Sequence, residues 1–204
     1  MIVIIDYRMG NLGSILNMLK KVGAAAVISA DPSVIGEATK LILPGVGAFD
    51  NGMKSLQEQG LVPALEEAVM RRKVPILGIC LGMQLMTKDS EEGKLPGLGW
   101  IDAKTVRFHH DPSEDLKVPH MGWNTVTVRK ESSLFRDMFP EPRFYFVHSY
   151  HAVCQDPGDV LTMTRYGYEF VSAFQRNNIM GVQYHPEKSH TFGMRLLKNF
   201  AELT

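Results

Sequence analysis

Three short apolar runs, each leading into a turn that contains glycine, constrain this chain most. Residues 1–5 lead to Gly10, Asn11 and Gly13; residues 41–43 run straight into Pro44-Gly45-Val46-Gly47; residues 74–79 run into Cys80-Leu81-Gly82. Runs this short, without polar alternation, are the pattern of strands covered on both faces, as in a parallel sheet. Helical spacing follows the first run. Ile15, Leu16, Leu19 and Val22 recur within a helix expected over residues 14–22, and Gly23 stands where a C-terminal cap belongs. Residues 26–29 read as a further strand, residues 61–72 as a helix, and another helix is expected from Leu81. This strand–helix–strand rhythm predicts βαβ units and a parallel sheet.

The second half has a different texture. Residues 125–128, 143–147, 152–154, 160–166 and 173–175 are β-branched or aromatic segments separated by turn residues, which favours antiparallel or mixed pairing. Residues 192–202 read as a closing amphipathic helix. The expected fold is therefore α/β: a mostly parallel central sheet flanked by helices, with an additional antiparallel or mixed region in the second half. At 204 residues and 45% apolar content, one domain over residues 1–204 is expected. Twenty-two basic residues balance twenty-two acidic ones, so no general nucleic-acid binding is expected. The apolar N-terminal run is broken by Asp6 and lacks a basic flank, so it reads as a strand and not a signal peptide. No run approaches the roughly twenty apolar residues that span a membrane. Two cysteines are too few for a disulfide framework and lack metal-site spacing. These features lead to the expectation of a cytoplasmic protein without a metal site.

Cys80 sits between Gly78 and Gly82 where a strand meets a helix, the cysteine counterpart of a nucleophile elbow. Such a turn holds its nucleophile exposed, with glycines allowing close backbone approach. The helix dipole favours the thiolate, and the Leu81 N–H can face an oxyanion. A small buried thiol in a tight loop is the other reading of Cys80 taken alone. Cys154 lacks an elbow and reads as a structural thiol on a strand face.

A thiolate nucleophile needs a partner that takes and returns a proton, and the seven histidines are candidates. His185 stands out because residues 181–184 read as a strand delivering it, and Pro186 biases it toward extended backbone. Residues two apart in an extended segment point to the same side, so Glu187 can orient the imidazole. A plain polar turn is the alternative for His185-Pro186-Glu187. His109 and His110 read as loop surface; His120, His148 and His151 lie near aromatic segments and read as core or site-lining. Pro44-Gly45-Val46-Gly47 has neither the dinucleotide nor the P-loop spacing. Its backbone N–H groups can instead serve a tetrahedral intermediate beside the elbow.

Elbow, glycine loop and His-Pro-Glu, occurring together in one chain, resemble the class I glutamine amidotransferases over nearly its whole length. The resemblance implies Cys80 as nucleophile, His185 as base and Glu187 as its orienter, acting on glutamine through a glutamyl thioester with no cofactor. It also implies glutamine-binding roles for Gln84, for the Gly45-Val46-Gly47 backbone and for His148-Ser149-Tyr150. A narrower set, residues 6–14, Pro119-His120-Met121-Gly122-Trp123-Asn124 and Phe146-Val147-His148-Ser149-Tyr150, resembles the glutaminase subunits of imidazole glycerol phosphate synthases. That resemblance implies a heterodimer in which ammonia passes to a separate (β/α)₈-barrel cyclase subunit making imidazole glycerol phosphate in histidine biosynthesis. Asn11, Met121, Trp123, Tyr145 and Lys188 are implied at or near the interface. Loop polar, core aromatic, strand aromatic and solvated lysine remain the other readings of Asn11, Trp123, Tyr145 and Lys188. Coupling to a partner suggests oxyanion donors misplaced at rest, with the glycine loop able to turn a peptide cheaply. A glutaminase of another synthase, a cysteine peptidase or chaperone-like relative, and a non-catalytic binding module are the competing readings.

Overall fold

The computed structural model describes residues 1–111, 113 and 116–203; Pro112, Glu114, Asp115 and Thr204 lie outside the described residues. The strands β1 (Ile2–Ile5), β2 (Ala26–Ser29), β3 (Lys40–Leu43) and β4 (Ile76–Ile79) come from the first half. With β13 (Ile179–Val182) they form a parallel block ordered β2-β1-β3-β4-β13. β1, β4 and β13 are buried at every position, the outcome expected of apolar runs without alternation. Around this block run helices α1 (Leu12–Lys21), α2 (Pro32–Gly36), α3 (Phe49–Glu58) and α4 (Val62–Glu66). The last continues as a π-turn over Glu67–Arg71.

The short helix α5 (Leu81–Leu85) follows the elbow, and α6 (His190–Ala201) closes the described chain. The expected helix over residues 14–22 begins earlier, at Leu12. Asn11 is its cap, the side-chain oxygen accepting the Ser14 N–H at 3.2 Å. Helices α2 and α3 have no counterpart in the expectations. Asp31 with Pro32 is a legible cap and first-turn pair for α2. α3 starts on Ala48 without a side-chain cap and carries Gly52 in its interior, so its start signal is faint.

Most of the second half extends the same sheet. β5 (Asp89–Ser90), β6 (Ala103–Arg107), β10 (Tyr150–Cys154), β11 (Val160–Tyr166) and β12 (Tyr168–Arg176) join it, β12 pairing antiparallel with β13. β8 (Thr127–Val128) adds to β11. β7 (His120–Thr125) and β9 (Arg143–His148) form a separate antiparallel pair, so the strand expected over residues 125–128 is two strands with different partners. One core lies between the sheet and α2 to α5 and includes Phe49, Leu65 and Trp100. The other lies beneath α1, α6 and the β7–β9 pair and includes Phe144, Phe146 and Tyr184. Among the described residues no helix is long and apolar enough to cross a membrane.

The approach of α5 to β3 sets the position of the elbow. A Cβ on Gly82 would overlap the Leu43 carbonyl oxygen, and one on Gly78 would stand 2.8 Å from the Met83 backbone nitrogen. Backbone contacts this close leave no room to relax. Gly82→Ala is expected to destabilise the fold by at least about 2 kcal/mol, read as a lower urea midpoint at unchanged m-value.

Candidate active site

β4 and β13 are parallel neighbours in register, Ile79 opposite Val182, so the segments leaving them emerge side by side. Cys80 follows one; Gln183, Tyr184 and His185 follow the other. Cys80 has φ 53° and ψ −110°. For a residue with a side chain such backbone costs on the order of 1–3 kcal/mol and persists where its surroundings fix it. Here the Cys80 N–H donates to the Val182 carbonyl at 2.8 Å, and the Cys80 carbonyl accepts the Gln84 N–H at 3.2 Å.

His185 is extended, at φ −102° and ψ 95°. Its Nδ1 lies 2.7 Å from Glu187 Oε1, with both side chains buried. The backbone around it is clamped from β9. The His185 N–H donates to the Tyr145 carbonyl at 2.9 Å, and Ser189 Oγ donates to the His185 carbonyl at 2.6 Å while accepting the Tyr145 N–H at 3.0 Å. With Nδ1 engaged by Glu187, Nε2 is the nitrogen left for the Cys80 thiol. Burial pushes the His185 pKa down, but the neighbouring Cys80 thiol and the Glu187 carboxylate bonded to Nδ1 push it up further, to about 10. A protonated imidazole at His185 is the resting state these contacts favour.

A cavity of about 590 Å³ opens beside Cys80. Its walls bring together Val46 and Gly47 of the glycine loop, Leu81 and Gln84 of α5, and His148, Ser149 and Tyr150 of the β9–β10 turn. Gly45 stands behind this wall. The Leu81 N–H is engaged in this structure: it donates to the Gly45 carbonyl at 3.3 Å. The Tyr7 hydroxyl holds the adjacent Pro44 carbonyl at 2.5 Å. Gly47 adopts φ 111°, which disfavours any side chain there.

Two further residues, one behind Cys80 and one on the cavity wall, carry no motif. Gln183, 0% exposed, donates from Nε2 to Cys80 Sγ at 3.7 Å and accepts from Gln84 Nε2 at 3.0 Å. An amide inside an otherwise apolar strand approach was the available signal. Glu92 lines the cavity and accepts the Phe49 N–H at 2.9 Å through Oε2; its sequence surroundings are simply polar.

The other titratable groups separate cleanly. Burial, then the Asp159 charge, raises the Cys154 thiol to about 12, so Cys154 is no thiolate near neutral pH. His109 is exposed as expected. His110 is not loop surface: it is partly buried and stacks on Phe108 at 5.4 Å, because the chain leaving β6 crosses an aromatic cluster that includes Tyr166 and Tyr168. His120, His148 and His151 are buried in the same cluster.

The implied partner residues fall into two groups. Met121 and Trp123 are 62% and 47% exposed, so Trp123 is no core aromatic. Trp123 packs edge-on to Tyr145 and stacks over His190 at 5.6 Å, while Lys188 Nζ lies 5.8 Å from the Tyr145 ring centre. His190 belongs to this patch although no motif marks it. Asn11 is used as the cap of α1.

The family model for "Glutamine amidotransferase class-I" matches residues 3–203. The chain belongs to the class-I glutamine amidotransferases. This amidotransferase is 55% identical over 200 residues to "Imidazole glycerol phosphate synthase subunit HisH 2" of Methanococcus maripaludis, covering 98% of each chain. It is 54% identical over 203 residues to the protein of the same name from Pseudomonas aeruginosa, covering 100% of each. Among solved structures it superposes on a crystal structure of a glutamine amidotransferase. There the TM-score is 0.72 at 19% identity, over 98% of this chain and 99% of the other, a likeness of fold.

The raised His185 pKa has a definite sign. Its contribution to stability is complete below about 6.5, the ordinary histidine value, and is lost as pH rises through about 10. Histidine-selective NMR is expected to show His185 protonated at pH 8. Cys80→Ala and Glu187→Gln are each expected to lower its titration, and an unchanged titration in both variants would contradict the assigned causes.

Proposed function

We propose that this amidotransferase is the glutaminase subunit of an imidazole glycerol phosphate synthase, delivering ammonia to a separate (β/α)₈-barrel cyclase for histidine biosynthesis. The observation that carries the reading is full-length similarity, at 55% and 54% identity, to relatives of that name. One domain over residues 1–204 and a cytoplasmic location belong to the same reading.

In this proposal Cys80 is the nucleophile, His185 the acid and base, and Glu187 the group that holds the imidazole's tautomer and charge. The Cys80 thiolate bonds to the side-chain carboxamide carbon of glutamine, and the carbonyl electron pair moves onto oxygen. As the C–N bond breaks, the His185 imidazolium gives its proton to nitrogen and ammonia leaves. Neutral His185 then takes a proton from water as the water oxygen bonds to the thioester carbon. The C–S bond breaks, glutamate departs, and the thiolate–imidazolium pair is restored. Gln84 and the His148-Ser149-Tyr150 turn hold the glutamine, with the Glu92 carboxylate facing its ammonium group.

Resting activity is held low by the glycine loop. With its carbonyl on the Leu81 N–H, Gly45 occupies the position an oxyanion needs. Rotation of the Gly45–Val46 peptide releases Leu81 and turns the Val46 N–H toward the elbow. Gly47 supplies the backbone freedom, and Tyr7 anchors the loop at Pro44. The Met121, Trp123, Tyr145 and Lys188 patch receives the cyclase, aromatics and methionine being favoured at interface centres. Through the Tyr145–His185 backbone hydrogen bond that patch reaches the active site directly.

Glutamate release from glutamine tests this. The chain alone is expected to be slow, and a barrel cyclase with its nucleotide ligand to stimulate it at least about a hundredfold, a gain of the size one oxyanion donor supplies. Cys80→Ala abolishes both rates, and Gly47→Ala reduces the stimulation. Hydrolysis without stimulation would remove the cyclase from the account, and full stimulation of Gly47→Ala would remove the loop rotation.

A further inference from the structure

The buried histidines form a hydrogen-bonded chain whose proton positions are fixed by its end. His148 Nδ1 lies 2.7 Å from the Tyr150 carbonyl, which can only accept, so this nitrogen carries the proton. His148 is buried, and burial holds its pKa well below the usual histidine range, so it is neutral. Its Nε2 is therefore an acceptor, and His120 Nδ1, 3.0 Å away, is the donor. Neutral His120 in turn accepts at Nε2, where the Asn124 amide nitrogen stands at 3.2 Å. The second Asn124 amide proton goes to the Arg165 carbonyl at 3.0 Å, and Asn124 Oδ1 accepts the Thr125 N–H at 2.8 Å. Each member thus has one orientation that satisfies all its partners.

The chain does not stop at Tyr150. The same carbonyl accepts Gln84 Nε2 at 3.2 Å; Gln84 donates also to Gln183, and Gln183 donates to Cys80 Sγ. An unbroken polar path joins β7 to the thiol. β7 has two sides: His120 and Asn124 face inward, while Met121 and Trp123, between them, face out. His120 and His148 are direct cross-strand partners in the β7–β9 pair.

We infer that the Asn124–His120–His148 relay ties the outward-facing strand β7 to the Tyr150 carbonyl, making His120 a positioning residue that sets the wall of the glutamine pocket from the partner-facing strand. The inference rests on the proposed function for the identity of the substrate; the relay itself does not. Removing the His120 donor leaves a buried His148 acceptor unpaired, a loss large enough to let His148 and the Tyr150 turn reorient. Asparagine places an amide N–H where histidine has Nδ1–H, whereas leucine keeps bulk and offers no donor.

Two measurements on the full chain test this, the second with the cyclase and its ligand present. In ¹⁵N-histidine spectra of the resting protein, which need no turnover, His148 and His120 are both expected as Nδ1–H tautomers. An Nε2–H tautomer at His148 would overturn the relay whatever reaction the protein performs. In kinetics, His120→Leu is expected to raise KM for glutamine about tenfold while kcat stays within about twofold, and His120→Asn to restore KM. An unchanged KM in His120→Leu, or no rescue by His120→Asn, would overturn the positioning role. If His120→Leu does not fold, the tautomers and a near-normal KM in His120→Asn decide the matter. Absence of glutamine hydrolysis by the wild-type pair, with the expected tautomers present, would instead count against the proposed function and leave the relay standing.

Discussion

The backbone of Cys80 is held in a left-handed conformation that a side-chain-bearing residue avoids, and the arrangement of the site follows from what holds it there. β4 delivers the residue, the Val182 carbonyl of β13 takes its N–H, and Gly82 lets α5 press onto the end of β3. The glycine loop leaving β3 is thereby brought against the first turn of α5, where Gly45 meets Leu81. The parallel pairing of β4 with β13 fixes where His185 emerges relative to Cys80. A shift of one residue in that register would turn Cys80 or Gln183 to the opposite face.

Histidine serves two opposite electrostatic purposes within a short distance. His185 is raised because its two nearest partners are a thiol and a carboxylate, which outweigh its burial. His120 is lowered, to about 4, by burial and by its histidine neighbour His110, and burial likewise holds His148 well below the usual histidine range. Neutral neighbours favour the His185 imidazolium, since a second positive charge at His148 would oppose protonation of His185. The aromatic cluster around Phe108 therefore does more than pack: it supplies the low-dielectric surroundings that keep those neighbours uncharged.

The parallel block was legible because β1, β3 and β4 are short apolar runs ending in turns, and burial on both faces leaves no other pattern open. Cys80, His185 and Glu187 were legible for a local reason: the elbow needs glycines at fixed offsets, and a two-residue spacing in extended chain puts imidazole and carboxylate on one side. What escaped was set at a distance. Gln183 and Glu92 acquire their places from strands and loops far away in sequence, and His110 is partly buried because β11 and β12 bring Tyr166 and Tyr168 across it. Residues 125–128 misled because the single residue Val126 separates two strands with different partners.

The central claim is that Cys80, and not the other thiol, attacks the glutamine side chain. Incubating the protein and its cyclase with a diazoketone analogue of glutamine, which traps the attacking thiolate as a stable thioether, and mapping the adduct by peptide mass spectrometry tests it most directly. The account predicts stoichiometric labelling of the peptide carrying Cys80, loss of labelling in His185→Leu, and an unmodified Cys154. Labelling of Cys154, or an unmodified Cys80 in a protein that hydrolyses glutamine, would contradict it.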